Sequence, residues 1–181
     1  MIEDEVKTAD AIITNLMEST RGREPECCEL DLSALLSELT AHIDASGRVQ
    51  WTIQTAQAPC LLWCDPGQFR QVLDNLLQNA VEAMKGKGPI TIAAWRDGPH
   101  DYVEVRDGGP GIAAEIRPVL FDPLVTTKRS GTGLGLMTCR RIVERHGGSI
   151  NLIDRSEPGA AFRIALPRKV EAPIATAGAL P

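Results

Sequence analysis

Asp107, the run Gly131-Thr132-Gly133-Leu134-Gly135-Leu136 and the pair Asn75 and Asn79 are the residues whose types and spacing point to chemistry. Asp107 ends a segment in which Val103 and Val105 share its parity, while Tyr102, Glu104 and Arg106 take the other. Alternate residues of a strand face opposite sides, so the apolar parity faces the core and carries this carboxylate inward. An inward carboxylate needs donors, because burying an unpaired charge is costly. Either the Gly108-Gly109 turn supplies them, or a ligand amino group does, such as the exocyclic amine of adenine. The glycine run opens directly into a helix. Closely spaced glycines let backbone N–H groups approach an anion, and a helix N-terminus adds partial positive charge; the same run would also serve as a plain hinge. It follows no strand and precedes no G-K-[ST], so neither the dinucleotide fingerprint nor the Walker-type loop is present. Lys128, shortly before Gly131, is either a solvated lysine or a mobile cation for terminal phosphates. Asn75 and Asn79 lie one helical turn apart on the flank of an apolar stripe, with Glu82 nearly a further turn on. Amide oxygens suit magnesium, which keeps several waters and shares substrate phosphates. Taken singly, the pair reads as polar residues at a stripe's edge.

The elements that must position these residues follow from periodicity. Asp65-Pro66-Gly67-Gln68 is a helix start, with Asp as N-cap, Pro at the first helical position and Gln three after the cap. Phe69, Val72, Leu73, Leu76, Leu77, Ala80, Val81 and Met84 then recur at helical spacing, and Gly86 and Gly88 stop the helix. Ile90 to Trp95 and Tyr102 to Asp107 predict a hairpin around Asp97-Gly98. From Gly108 to Gly133 runs a loop with at most a short helix around Ala113 to Pro118. A structureless stretch of roughly 25 residues in a compact domain is usually functional. A helix from about Gly133 to His146 and a last hairpin, Ile150 and Leu152 with Phe162, Ile164 and Leu166 across Glu157-Pro158-Gly159, complete this half.

Upstream, Glu29 to Asp31 reads as a short strand leading into a helix from Leu32 to about Ala45, with Leu32, Leu35, Leu36 and Leu39 inward. Val49, Trp51 and Ile53 alternate as a strand, with Cys60 to Trp63 as a short partner for it. Residues 1 to about 22 predict a helix with an a/d seam of Ile2, Val6, Ala9, Ile13, Leu16 and Thr20. Such a face needs a partner helix, which points to a bundle with another chain or with an upstream segment. Strands joined by tight turns argue for an α/β sandwich rather than a doubly wound parallel sheet.

Bulk properties narrow the class. The chain has 181 residues, 43% hydrophobic and 24% charged, which suits one domain with extensions. A net charge of −5 and a pI near 5.2 leave no basic footprint for nucleic acid. No apolar run approaches the roughly 20 residues that span a bilayer. The five cysteines, at 27, 28, 60, 64 and 139, lack a second C-x2–4-C pair, which removes a zinc site and leaves reduced thiols of a cytoplasmic protein.

Together the motifs resemble those of sensor histidine kinases. Asn75-Leu76-Leu77-Gln78-Asn79-Ala80 is similar to their N box, Asp107-Gly108-Gly109-Pro110-Gly111-Ile112 to the first glycine box, and Phe121-Asp122-Pro123-Leu124 to the F box. Gly131 to Leu136 resembles the second glycine box, and Thr126-Thr127-Lys128 is similar to the nitrogen-regulation-type subgroup. The resemblance implies an α+β Bergerat fold, a mixed, mainly antiparallel sheet backed by helices, with ATP and magnesium as cofactors. It implies that Asp107 accepts from the adenine amine, Asn79 coordinates magnesium and Asn75 orders phosphates or a water. Gly109, Gly111 and Ile112 would pass the base, while Thr127, Lys128, Gly131, Thr132, Gly133, Leu134, Gly135 and Leu136 would hold the phosphates. The implied organisation is residues 1–23 as the end of a dimerisation and phosphotransfer helix, 24–167 as the catalytic ATP-binding domain and 168–181 as a disordered tail. Implied partners are ATP, the dimerisation helices, a second copy of the full-length protein and a response regulator.

The chain departs from that pattern in three places. His42, His100 and His146 all lie outside a phosphoacceptor motif, so no phosphorylation in cis is expected. Leu124 replaces a second Phe, and Glu82 stands where a basic residue is usual. Chaperone, topoisomerase and mismatch-repair ATPases of similar fold carry a Glu where this chain has Asn75, which disfavours hydrolysis. A module that only senses nucleotide is the non-enzymatic alternative.

Overall fold

A computed structural model describes residues 23–44, 47–56, 60–126 and 132–169. The heptad helix over 1–22, the positions Thr127, Lys128 and Gly131, and the tail from residue 170 lie outside the described residues.

Two sheets and three helices follow in chain order: β1 (Cys28–Asp31), α1 (Leu32–Ile43), β2 (Val49–Thr55), β3 (Leu61–Cys64), α2 (Pro66–Ala83), β4 (Gly88–Asp97) and β5 (His100–Asp107). A single 3-10 turn, Arg117–Val119, breaks the long loop before α3 (Gly135–Arg145), β6 (Ser149–Leu152) and β7 (Ala161–Pro167). The main sheet has the order β2-β4-β5-β7-β6, parallel between β2 and β4 and antiparallel elsewhere. This is the expected mixed, mainly antiparallel sheet. The helices bury their apolar faces on it: Leu32, Leu36 and Leu39 from α1, Phe69, Val72, Leu73, Leu76 and Leu77 from α2, Cys139 and Val143 from α3. Opposite them lie Ile90, Ile92, Val103, Val105, Phe162 and Ile164. Burial on this scale contributes about 25 cal/mol per Å² of apolar surface and drives the assembly.

One pairing differs from expectation. The segment 61–64 pairs not with β2 but with β1, antiparallel, with Leu30 opposite Leu62 and Cys28 opposite Cys64. β2 instead joins the edge of the main sheet beside β4. A parallel pair needs a long crossover, which the stretch from β2 through α2 to β4 supplies.

α2 begins as its residues dictate. Asp65 Oδ1 accepts from the N–H groups of Gly67 at 3.0 Å and Gln68 at 3.1 Å. Gln68 does not return a bond to the Asp65 N–H, as a full capping box would. That N–H donates instead to Nε2 of His146, at 3.0 Å. The outer sheet face brings a second surprise. Glu104 is only 1% exposed although it lies on the parity opposite the core, because Arg106 and Arg163 both pair with it. Arg163 in turn lies over the Trp95 ring at 5.3 Å, and Trp95 stacks on Tyr102 at 5.2 Å.

Candidate functional site

Asp107 sits at the end of β5, facing the helices as the strand parity required, and is 9% exposed. Its Oδ1 accepts from the N–H of Gly109 at 2.8 Å and of Ala160 at 3.2 Å. The turn-capping role is therefore real, and one oxygen fulfils it. Oδ2 has no hydrogen-bond partner among the described residues and remains able to accept from a ligand.

The loop after Asp107 is pinned from two sides. A Cβ on Gly109 would lie 2.8 Å from Asp107 Oδ1 and 3.4 Å from the Cβ of Ala83, so this loop runs against the C-terminal end of α2. Gly111, at φ 78°, leaves room for the Gly159 carbonyl, 3.1 Å from where its Cβ would be. Gly159 and Ala160, in the β6–β7 turn, thus help to seat the carboxylate. They are site residues that the motif reading omitted; the small Gly159-Ala160-Ala161 run was the signal available.

The second glycine run meets the same helix near its middle, at Asn75. Gly133, at φ 67°, lies against the Leu124 backbone, where a Cβ would meet Leu124 C at 2.5 Å. Leu134 is buried, and Gly135 opens α3 with its hypothetical Cβ 3.4 Å from Asn75 Oδ1. Beneath it the Cys139 thiol, fully buried, faces the Val72 carbonyl of α2 at 3.7 Å, and burial pushes its pKa up to about 12. Phe121 packs edge-on against Phe162 at 6.3 Å, with Arg140 over its ring at 5.9 Å. Leu124 is 64% exposed at φ 63°, so it takes no part in that aromatic packing.

One flank of α2 therefore joins the two glycine motifs. Asn75 touches the start of α3, Ala83 touches the Asp107 loop, and Asn79 stands between them. Eight residues of helix separate the ends by about 12 Å, long enough for an extended ligand with a base at one end and phosphates at the other. Of the expected site residues, Gly135 lies against Asn75 and Gly109 against Ala83 and Asp107, while Gly111 meets Gly159, Gly133 meets Leu124, and Ile112 and Leu136 pack against the core. Thr127, Lys128 and Gly131 lie outside the described residues.

Residues 64–170 match the family model described as histidine kinase-, DNA gyrase B-, and HSP90-like ATPase. The chain belongs to that family. The catalytic domain of histidine kinase ThkA superimposes with a TM-score of 0.72 at 34% identity, covering 79% of this chain and 96% of that one. Among curated relatives, the C4-dicarboxylate transport sensor protein DctS of Rhodobacter capsulatus is 36% identical over 90% of this chain. The signal transduction histidine-protein kinase AtoS of Escherichia coli is 32% identical over a similar share. The chain spans only 26% and 28% of those two proteins' lengths. Its fold is that of the catalytic domains of histidine kinases. Among the described residues no three His, Cys, Asp or Glu side chains are arranged to hold a metal. No helix among them is long and apolar enough to cross a membrane.

Proposed function

We propose that this catalytic domain holds magnesium-ATP along the α2 flank and transfers the γ-phosphate to a histidine on a dimerisation hairpin of a longer kinase. The observation that carries the reading is the line Asn75, Asn79, Ala83, which joins the anion-binding end of α3 to the Asp107 carboxylate. Asp107 Oδ2 accepts from the adenine amine. Gly109, Gly111 and Ile112 border the base, and the N-terminus of α3 with Thr132, Gly133, Leu134, Gly135 and Leu136 faces the phosphates. Asn79, an amide oxygen donor with no carboxylate cluster beside it, fits a magnesium ion that takes most of its ligands from water and phosphate. The ion would neutralise developing charge on the phosphates. Thr127, Lys128 and Gly131 are assigned to the phosphate end by their place in the motif.

Phosphoryl transfer needs positioning and charge neutralisation more than covalent help. Asn75 carries a neutral carboxamide, which is not basic enough to serve as a general base for water. Transfer to an external histidine is thereby favoured over hydrolysis. ThkA has been crystallised with the response regulator TrrA, and this chain superimposes on that kinase with a TM-score of 0.77 at 30% identity, covering 92% of this chain and 49% of that one. A response regulator, a homodimeric parent and a cytoplasmic setting fit the same reading, as do 1–23 as the end of the hairpin and 24–167 as the domain. Labelled ATP with a separately supplied phosphoacceptor hairpin tests it. Label on the hairpin histidine is the expected result; rapid free-phosphate release without it would place the chain with the hydrolases, and binding with neither would make it a sensor.

A further inference from the structure

The ends of α2 and α3 remote from the nucleotide meet in a second polar cluster that the proposed chemistry does not use. His146, the C-cap of α3, is 8% exposed. Its Nδ1 lies 2.8 Å from the Ile142 carbonyl and Nε2 lies 3.0 Å from the Asp65 N–H. These partners put the ring proton on Nδ1 and make Nε2 an acceptor. The same Asp65 caps α2 through Oδ1 and uses Oδ2 for the segment that enters the domain. Oδ2 accepts from the Glu26 N–H at 3.1 Å and from the Arg23 guanidinium at 3.2 Å, and Gln68 Nε2 donates to the Arg23 carbonyl at 3.3 Å. Asp65 and His146 thus tie together the entry segment, the start of α2 and the end of α3.

α2 and α3 pack antiparallel. His146 meets Asp65 at one end, Cys139 Sγ faces the Val72 carbonyl midway, and Gly135 meets Asn75 at the other. From Asp65 to Asn75, and from His146 to Gly135, is about 15 Å of rigid helix each. We infer that Asp65 and His146 are positioning residues whose contact couples docking of the Arg23–Glu26 segment to the separation of Asn75 and Gly135, and so to nucleotide affinity. The inference rests on the nucleotide reading of the α2 flank. An entry segment held on Asp65 orients the N-terminus of α2; through His146 the same contact fixes the C-terminus of α3. The two helices then present their far ends at one spacing. Coupling of this kind is reciprocal: whatever a docked segment does for nucleotide, nucleotide does for the segment.

Hydrogen exchange at the Glu26 amide, measured on the full chain with and without saturating magnesium-ATP, tests the coupling. Nucleotide is expected to slow that exchange about five-fold or more. His146→Leu, which removes the acceptor, is expected to abolish the response, and His146→Gln, which keeps an acceptor and a donor, to restore it. Arg23→Ala, at a side chain 65% exposed and outside the apolar core, is expected to raise the magnesium-ATP Kd by a factor comparable to the protection lost; it decides the matter alone if the leucine variant does not fold. Bound nucleotide with unchanged Glu26 exchange, or wild-type affinity in Arg23→Ala, overturns the coupling. Failure of the wild-type chain to bind nucleotide overturns the site reading and the coupling with it.

Discussion

Gly159 leaves no space for a side chain against Asp107: a Cβ there would lie 1.8 Å from the Asp107 carbonyl oxygen. The contact is backbone on backbone, so no flexible group can yield, and the φ of 104° already lies where L side chains are rare. Gly159→Ala must therefore displace the β6–β7 turn or the end of β5, and either shift unseats the carboxylate. We expect a loss of about 2 kcal/mol or more in urea denaturation, together with weaker magnesium-ATP binding by the folded fraction. Wild-type values for both would show that this turn does not seat Asp107.

The division of labour between the two oxygens of Asp107 predicts a cleaner variant. In Asp107→Asn the amide oxygen can still accept from Gly109 and Ala160, so the fold should survive. Its NH2 then stands where Oδ2 stood and meets the adenine amine donor to donor. An unsatisfied buried donor costs about 1–3 kcal/mol, so the ATP Kd should rise by about 5- to 150-fold. Calorimetric titration reads it, and affinity within two-fold of wild type would remove Asp107 from the base contact.

Much of this site was legible because it rests on local rules. Asp65 as cap, the apolar stripe of Phe69 to Ala80 and the inward parity of Asp107 each depend on a few neighbouring residues. What was not legible depends on segments far apart in sequence. The partner of 61–64 was misjudged because pairing is decided by which sheet edge α2 leaves open, not by proximity in the chain. Glu104 lies on the polar parity as expected, yet Arg163 from β7 covers it, and period-two patterning is blind to a neighbour 59 residues away. From the sequence His146 is only the last residue of a helix, but the donor it meets belongs to Asp65, 81 residues earlier. Gly159 looked like an ordinary turn glycine, and its contact with Asp107 exists only once β5 and β7 are paired.

Asn79 carries the magnesium assignment by its place between Asn75 and Ala83. Asn79→Ala removes the amide oxygen from an 18-residue helix and puts the best helix former in its place, so the helix should persist. Nucleotide affinity should then become the same with magnesium as with a chelator, whereas the wild type binds more tightly with the metal. A variant that keeps the wild-type metal dependence would move the ion to another ligand.

The stability of the chain should depend on pH through Asp65. Burial alone pushes this carboxyl up, but the N–H groups of Gln68, Glu26 and Gly67 and the Arg23 guanidinium outweigh it and hold the group below its ordinary value. A carboxyl whose folded value lies below the unfolded one stabilises the fold above the unfolded value, near 3.9, and loses that contribution as pH falls through the folded value. Urea midpoints should therefore fall as the pH drops below about 5 in the wild type, and keep falling until the folded value is passed. Asp65→Asn keeps an oxygen to accept from Gly67 and Gln68 but cannot titrate, so its midpoint should start lower at pH 6 and fall less over the same interval. Parallel curves for the two proteins would assign the acid sensitivity to other carboxylates.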